Sequence, residues 1–298
     1  MQVRRSAMLV KEIEAKSILV ASKLPDADFV INPYTGCEIG CAYCYASFMG
    51  RFVQQPIENW GNYVYVKTNA VSLAESELNK WSDEQRQCSV LLSSVTDPYQ
   101  GVEAKYRLSR GILEVFAAAR YPGLVSILTK SSLVTRDIDI LKRLPNVEVG
   151  MTVTTTDDKL SRFLEMRASS ASKRLATLKK LHDEGIRTYA FIGPLLPHFR
   201  YREDLLEELF ARVAETKVDS IFVEHINLKR YIRERLWQTL ESEPAEIRDV
   251  YTGASADEHR SALSAMVTKL INKYDLNLRL GDVLYHNEPK SNGERSSR

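Results

Sequence analysis

Phe29-Val30-Ile31-Asn32-Pro33-Tyr34-Thr35-Gly36-Cys37-Glu38-Ile39-Gly40-Cys41-Ala42-Tyr43-Cys44 joins a short apolar run to a loop carrying three thiols. The run reads as a buried strand stopped at Pro33, which has no backbone N–H to give to a ladder. The thiols therefore follow the C-terminal end of a strand. Outward from this stretch the same unit recurs. Strand-like segments at Tyr63 to Lys67, Val90 to Ser94, Leu124 to Thr129, Val147 to Val153, Thr188 to Ile192 and Ser220 to Val223 alternate with helical spacing. The helices are expected at Ala70 to Trp81, Ser109 to Ala119, Arg136 to Leu144, Ser170 to Glu184 and Arg202 to Glu215. Ser72 is a candidate cap for the first helix, Gly185 stops the fourth, and Gly193-Pro194 stops the strand after it. Continuous apolar strands separated by amphipathic helices predict an α/β fold of about six βα units, with a parallel sheet covered by helices. An open sheet and a barrel both satisfy this pattern.

Residues 1–28 read as a polar lead-in, and 228–286 as a C-terminal extension on the same core, with a helix at Ala256 to Tyr274 and a strand-like Leu276 to Leu280. Residues 287–298 are polar enough for a disordered tail. Among 298 residues, 41 basic side chains nearly balance 39 acidic ones, so net charge gives no global pull on a polyanion. No apolar run approaches the ~20 residues of a membrane span, and Met1 to Lys11 lacks the order of a signal peptide, so a cytoplasmic protein is expected. The basic stretch Lys229-Arg230-Tyr231-Ile232-Arg233-Glu234-Arg235 is read as a solvated helix face, with phosphate contact as the competing reading.

Four cysteines are too few for a disulfide scaffold, and three of them fall within eight positions. Cys88, at the start of an apolar run, is read as a small buried thiol. Cys37, Cys41 and Cys44 are separated by three and then two residues, and Gly36 and Gly40 let the loop bend. Three ligands fit a structural zinc site poorly, because zinc normally closes a tetrahedron. An iron–sulfur cluster with three thiolates keeps one iron open. The amino and carboxylate groups of S-adenosylmethionine can chelate that iron, and an electron passed into the sulfonium releases a 5′-deoxyadenosyl radical.

The residues around the thiols carry a resemblance. Asn32 to Cys37, Cys44-Tyr45-Ala46, Thr96-Asp97-Pro98-Tyr99-Gln100, Leu128-Thr129-Lys130-Ser131, Arg136-Asp137-Ile138-Asp139, and Leu164-Glu165 ahead of Arg174-Leu175 resemble, in order, the landmarks of one group. It is the DNA-repair-photolyase-like group of radical SAM proteins, related to spore photoproduct lyase. The likeness covers roughly Phe29 to Pro197. It implies a partial (β/α)6 TIM-like barrel over residues 29–227 with a C-terminal helical extension. It also implies a 4Fe-4S cluster on Cys37, Cys41 and Cys44, S-adenosyl-L-methionine as cosubstrate, and a reducing partner such as flavodoxin or ferredoxin. By the same resemblance Tyr43 lies along the adenine, while Thr96, Lys130 and Thr152 contact the methionine or ribose part.

Function in such barrels sits at the C-terminal strand ends, which makes Ser94, Glu224 and His225 candidate catalytic residues. Glu224 and His225 are consecutive, so only one faces inward. The resemblance places Ser94 where spore photoproduct lyase has a hydrogen-donating cysteine. A serine O–H bond is too strong for that task, and Cys88, six residues upstream at ~3.3 Å per residue, is roughly 20 Å away. The expected activity is hydrogen abstraction from a substrate for which nucleic acid is one candidate class. Modification of a peptide or small metabolite, and a non-catalytic iron–sulfur redox sensor, are the alternatives.

Overall fold

In a computed structural model, residues 8–241 and 243–285 are described, and the tail expected at 287–298 lies outside them. Among the described residues ten strands form: β1 (Leu9–Ile13), β2 (Leu19–Ala21), β3 (Phe29–Ile31), β4 (Tyr34–Thr35), β5 (Tyr63–Lys67), β6 (Val90–Leu92), β7 (Val125–Thr129), β8 (Val147–Thr152), β9 (Arg187–Leu195) and β10 (Ser220–His225). The main sheet has the order β10-β9-β8-β7-β6-β3-β2. Its strands β3 and β6 to β10 are mutually parallel, and β2 adds antiparallel to β3. A helix follows each of the six parallel strands, giving a partial (β/α)6 barrel.

These strands form because most of their side chains are apolar and have a covered face to occupy. Ile31, Ile127, Val149, Met151, Ala190, Ile192, Ile221 and Val223 are fully buried. Helix Leu108–Ala118 turns Leu108, Ile112, Leu113 and Phe116 to the core, spaced by four, one and three residues. Each such burial contributes about 1.5–3 kcal/mol relative to exposure. Ser170 caps helix Ala171–Asp183 by accepting from the Lys173 N–H, and Gly185 follows its end at φ +77°.

Several expectations are corrected. Tyr63–Lys67 does not join the main sheet; it is the centre of a second sheet, β1-β5-β4, so the lead-in contributes a strand. Ser72 is not a cap: it lies inside helix Ala70–Leu78 and donates back to the Asn69 carbonyl (3.0 Å). The helix expected over Arg136 to Leu144 shrinks to Ile138–Leu141, because Arg136 and Asp137 are drawn into ion pairs with Glu103 and Arg110 before it begins. Strand β9 runs through the cis Gly193-Pro194 peptide to Leu195 instead of stopping there. Pro194 gives no N–H to the ladder, and the register with β10 shifts between Val223 and His225. Leu276 to Leu280 is not a strand; single bridges, Ile221 with Leu278 and Glu224 with Leu284, lay this segment along the edge of β10.

At the N-terminal ends of the strands, Arg279 donates to both oxygens of Glu148 (2.8 and 2.6 Å) and sits 5.4 and 5.2 Å from the ring centres of Tyr189 and Phe222. It closes the barrel floor. The opposite end, where the thiol loop emerges, holds the remaining polar side chains considered below. Among the described residues no helix is long and apolar enough to cross a membrane.

Candidate active site

The loop from Gly36 to Tyr45 is gripped through its backbone by residues from distant parts of the chain. Thr96 Oγ1 donates to the Gly36 carbonyl (2.5 Å), and Gln100 accepts from the Glu38 N–H (2.8 Å). Arg167 donates to the Glu38 and Gly61 carbonyls (3.0 and 2.7 Å), and the Ala42 N–H reaches the Leu164 carbonyl (2.8 Å). Arg235 donates to the Cys41 carbonyl (3.3 Å), and the Tyr231 hydroxyl to the Tyr45 carbonyl (3.0 Å). Gly36 adopts φ +90°, and a Cβ there would fall 2.4 Å from the Tyr63 carbonyl oxygen, so only glycine fits this bend.

Cys37 and Cys41 are buried and Cys44 half-buried, all as free thiols. Burial is the largest cause raising each above the ordinary thiol value. Asp97 and the neighbouring thiols add to it at Cys37, while Cys41 is pushed up to about 12 with Lys130 opposing. Cys44 is also raised by burial, against Lys130. The thiols thus sense one another, yet among the described residues no three His, Cys, Asp or Glu side chains converge as ligands of a single metal ion.

Tyr43 follows the second thiol and is buried. Its hydroxyl donates to Glu165, which is ion-paired with Arg174; both are essentially inaccessible to solvent. Arg174 also donates to the carbonyls of Ser169 (2.7 Å) and Thr152 (2.9 Å) and to Ser161 Oγ (2.8 Å), so its fork is well occupied. Burial works against both charges of the pair, yet the partner wins on each side: Glu165 lies below its ordinary value and Arg174 above. The Lys130 ammonium stands 5.9 Å from the Tyr43 ring centre. Burial opposes its charge, but Cys41 and Glu165 outweigh that, so it is raised and stays protonated at neutral pH.

The other sequence candidates separate. Thr96 directs its proton to the loop, and accepts from Gln100 (2.9 Å). Asp97 is more than a turn former: it accepts from the Tyr99 and Lys130 N–H groups (2.8 Å each) and from Thr129 (2.7 Å), tying the β6 loop to the end of β7. Thr152 is buried at the end of β8. Ser94 has its N–H held by Asn32 (3.0 Å), and its carbonyl accepts from the Tyr45 hydroxyl. The Tyr45 phenol is raised first by burial, then by Cys44 and Glu224. His225 instead pairs Nε2 with Ser264 of helix Asp257–Lys273 (2.8 Å). Ser93 Oγ and Thr154 Oγ1, also at strand C-terminal ends, are buried with no protein partner. Cys88 is half-buried, less enclosed than expected; its N–H donates to the Gln85 carbonyl (3.1 Å) and its carbonyl accepts from the Tyr121 hydroxyl (2.6 Å).

Sequence reasoning gave no role to Arg235, Tyr231, Arg167 or Gln100. The charge of Arg235 and its place in a basic run suggested solvent exposure, whereas it is turned inward and lowered by burial, against Cys44 and Cys41. Arg230 pairs with Glu234 in solvent, as that reading expects.

His225 carries a prediction. Burial, followed by Arg260 and His259, lowers it to about 4. As pH falls below ~6.5 the unfolded chain takes up a proton that the folded chain refuses, so stability declines until about pH 4. The full effect is about 3 kcal/mol. His225→Gln, which keeps a polar group facing Ser264, is expected to flatten that slope in urea melts between pH 7 and 4.5; equal slopes would defeat the assignment.

The pattern of the Radical SAM superfamily matches residues 31–223, from the end of β3 into β10. This chain belongs to the Radical SAM superfamily. An uncharacterized protein of Methanocaldococcus jannaschii is 35% identical over 75% of this chain and 80% of its own length. A radical SAM Nalpha-GlyT isomerase of Pseudomonas phage M6 is 26% identical over 65% of this chain and 38% of that protein. Spore photoproduct lyase complexed with a dinucleoside spore photoproduct has the same fold, with a TM-score of 0.67 and 16% identity over 93% of this chain and 82% of that one. Membership makes this a radical SAM enzyme, and implies an iron–sulfur cluster and S-adenosylmethionine. The donor set agrees with both, through three free thiols within eight positions and through orphaned hydroxyls at Ser93 and Thr154.

Proposed function

We propose that Cys37, Cys41 and Cys44 hold three irons of a 4Fe-4S cluster, and that the enzyme abstracts hydrogen from an unreactive C–H bond of a nucleic-acid substrate. The observation that carries the proposal is the three-thiol loop, clamped through its carbonyls beside Tyr43 and Lys130. When bound, the cluster and S-adenosylmethionine supply a 5′-deoxyadenosyl radical. Lys130, cationic and desolvated, suits the cosubstrate's carboxylate. Tyr43 offers a ring face held in one orientation by Glu165. Ser93, Thr152 and Thr154 provide hydroxyls for the ribose and amino-acid parts. Thr96 serves the loop first, and its role toward the cosubstrate is limited to its remaining lone pair.

Ser94 and Glu224 border the place for substrate. Neither supplies a hydrogen atom to a carbon radical, so reversal of a thymine dimer by thiol donation is not the reaction proposed. A reducing partner such as flavodoxin or ferredoxin supplies the electron. Nucleic acid is favoured over a peptide or metabolite by the dinucleoside in a neighbour of the same fold.

Anaerobic reconstitution should give a brown protein with about four irons per chain, and dithionite with S-adenosylmethionine should yield 5′-deoxyadenosine. Deuterium carried into that product from labelled oligonucleotides would identify the substrate class. Colourless protein with one zinc would sink the proposal, and a cluster without 5′-deoxyadenosine would make the protein a sensor. Deuterium arriving only from peptides or metabolites would reassign the substrate. Ser94→Cys tests the donor: gain of dimer reversal would identify the serine as the barrier to it.

A further inference from the structure

Helix Arg230–Leu240 lies beyond residue 223, outside the matched superfamily region, yet two of its side chains seize the thiol loop. Tyr231 and Arg235 stand four residues apart and so share one face of the helix. Tyr231 donates to the Tyr45 carbonyl (3.0 Å) and Arg235 to the Cys41 carbonyl (3.3 Å). Those carbonyls flank Cys44 on either side. Two other basic side chains of the stretch point elsewhere: Arg233 is exposed, and Arg230 is paired with Glu234.

Arg235 is half-buried, and its charge interacts first with Cys44 and Cys41, then with Tyr63 and Glu58. A guanidinium does not lose its proton in a protein, so this charge is permanent. A cluster on these thiolates becomes more negative by one unit when reduced. A fixed cation in a partly dry site favours the more negative form, because water screens it weakly there. A neutral hydrogen-bond donor at the same place would steady the loop without that electrostatic gain.

We propose that Arg235 is a positioning and tuning residue of the cluster, holding the Cys41–Tyr45 segment and making the cluster easier to reduce. The inference rests on the proposed function, since it needs the cluster that function invokes. It gives the C-terminal extension a task in radical generation, apart from covering the barrel.

The test is a mediated dithionite titration of the reconstituted full chain without S-adenosylmethionine, following loss of the cluster's visible absorption, with iron content measured in parallel. Arg235→Gln is expected to keep its iron and to shift the reduction equilibrium about tenfold toward the oxidised form, about 59 mV for one electron. Arg235→Lys keeps the charge and should lie within threefold of the unsubstituted protein, as should Arg233→Gln. If the Gln variant fails to load while the Lys variant loads and titrates normally, the requirement for charge stands. An unshifted Gln variant overturns the inference alone. Folded Lys and Gln variants that both lose iron also overturn it, since the fork's shape would then matter instead of its charge. Absence of a cluster in the unsubstituted protein overturns the inference together with the proposed function.

Discussion

Replacing Cys41 with alanine is expected to reduce iron from about four per chain to less than one, and to abolish 5′-deoxyadenosine formation. Cys41 is buried and its carbonyl is held by Arg235, so the vacant position cannot be filled by a side chain from solvent. Cys37→Ala and Cys44→Ala should behave alike, because in the proposed ligand set each thiolate would serve a different iron. Cys88→Ala should change neither quantity. That thiol precedes β6, at the end opposite Ser94, and takes no part in the loop. Iron analysis and chromatography of the nucleoside product on the four variants decide the matter. Full loading of any of the three loop variants would remove that cysteine from the ligand set.

Breaking the Glu165–Arg174 pair should give the largest loss of stability. Both side chains are buried with almost no access to solvent, so removing one leaves the other as an uncompensated charge. The expected cost of Glu165→Leu or Arg174→Leu is about 3–5 kcal/mol, a fall in Tm on the order of 10 °C. Changing both to apolar residues of similar volume should recover much of that loss, since no lone charge remains. A thermal melt of the two single variants and the double variant makes the comparison, and a double variant as unstable as the sum of the singles would refute it. The pair also gives the protein an acid limit. Because the Glu165 carboxyl lies below its ordinary value when folded, its stabilising contribution is complete above about pH 4.3 and is lost as pH falls through the folded-state value. Tyr43 would feel the same change, as its hydroxyl loses the charged acceptor that orients it.

The parallel strands and the thiol loop were legible because their signals are local: unbroken apolar runs, and three cysteines within eight positions. The second sheet was not, since Leu9–Ile13 is exposed along nearly its whole length without apolar-polar alternation, and pairs with a strand more than fifty residues later. Charged residues at the site were the hardest to place. Arginine and glutamate ordinarily signal a solvated surface, and only their partners reveal otherwise. Leu164-Glu165 and Arg174 stood out as landmarks, but their joint burial beneath Tyr43 depends on two helices meeting. Arg235 looked like one more cation in a basic run, and its inward turn depends on where the helix after β10 lies. The alternation of Glu224 and His225 followed from strand geometry, but it left open which of them faces Ser264.

Arg279 joins Glu148 across 131 residues of chain. The contact ties a segment beyond β10 to β8, so it can exist only when β8, β9 and β10 lie side by side. With Arg279 and Glu148 occupying the N-terminal end of these strands, the polar side chains left for chemistry stand at the opposite rim, beside Cys37, Cys41 and Cys44.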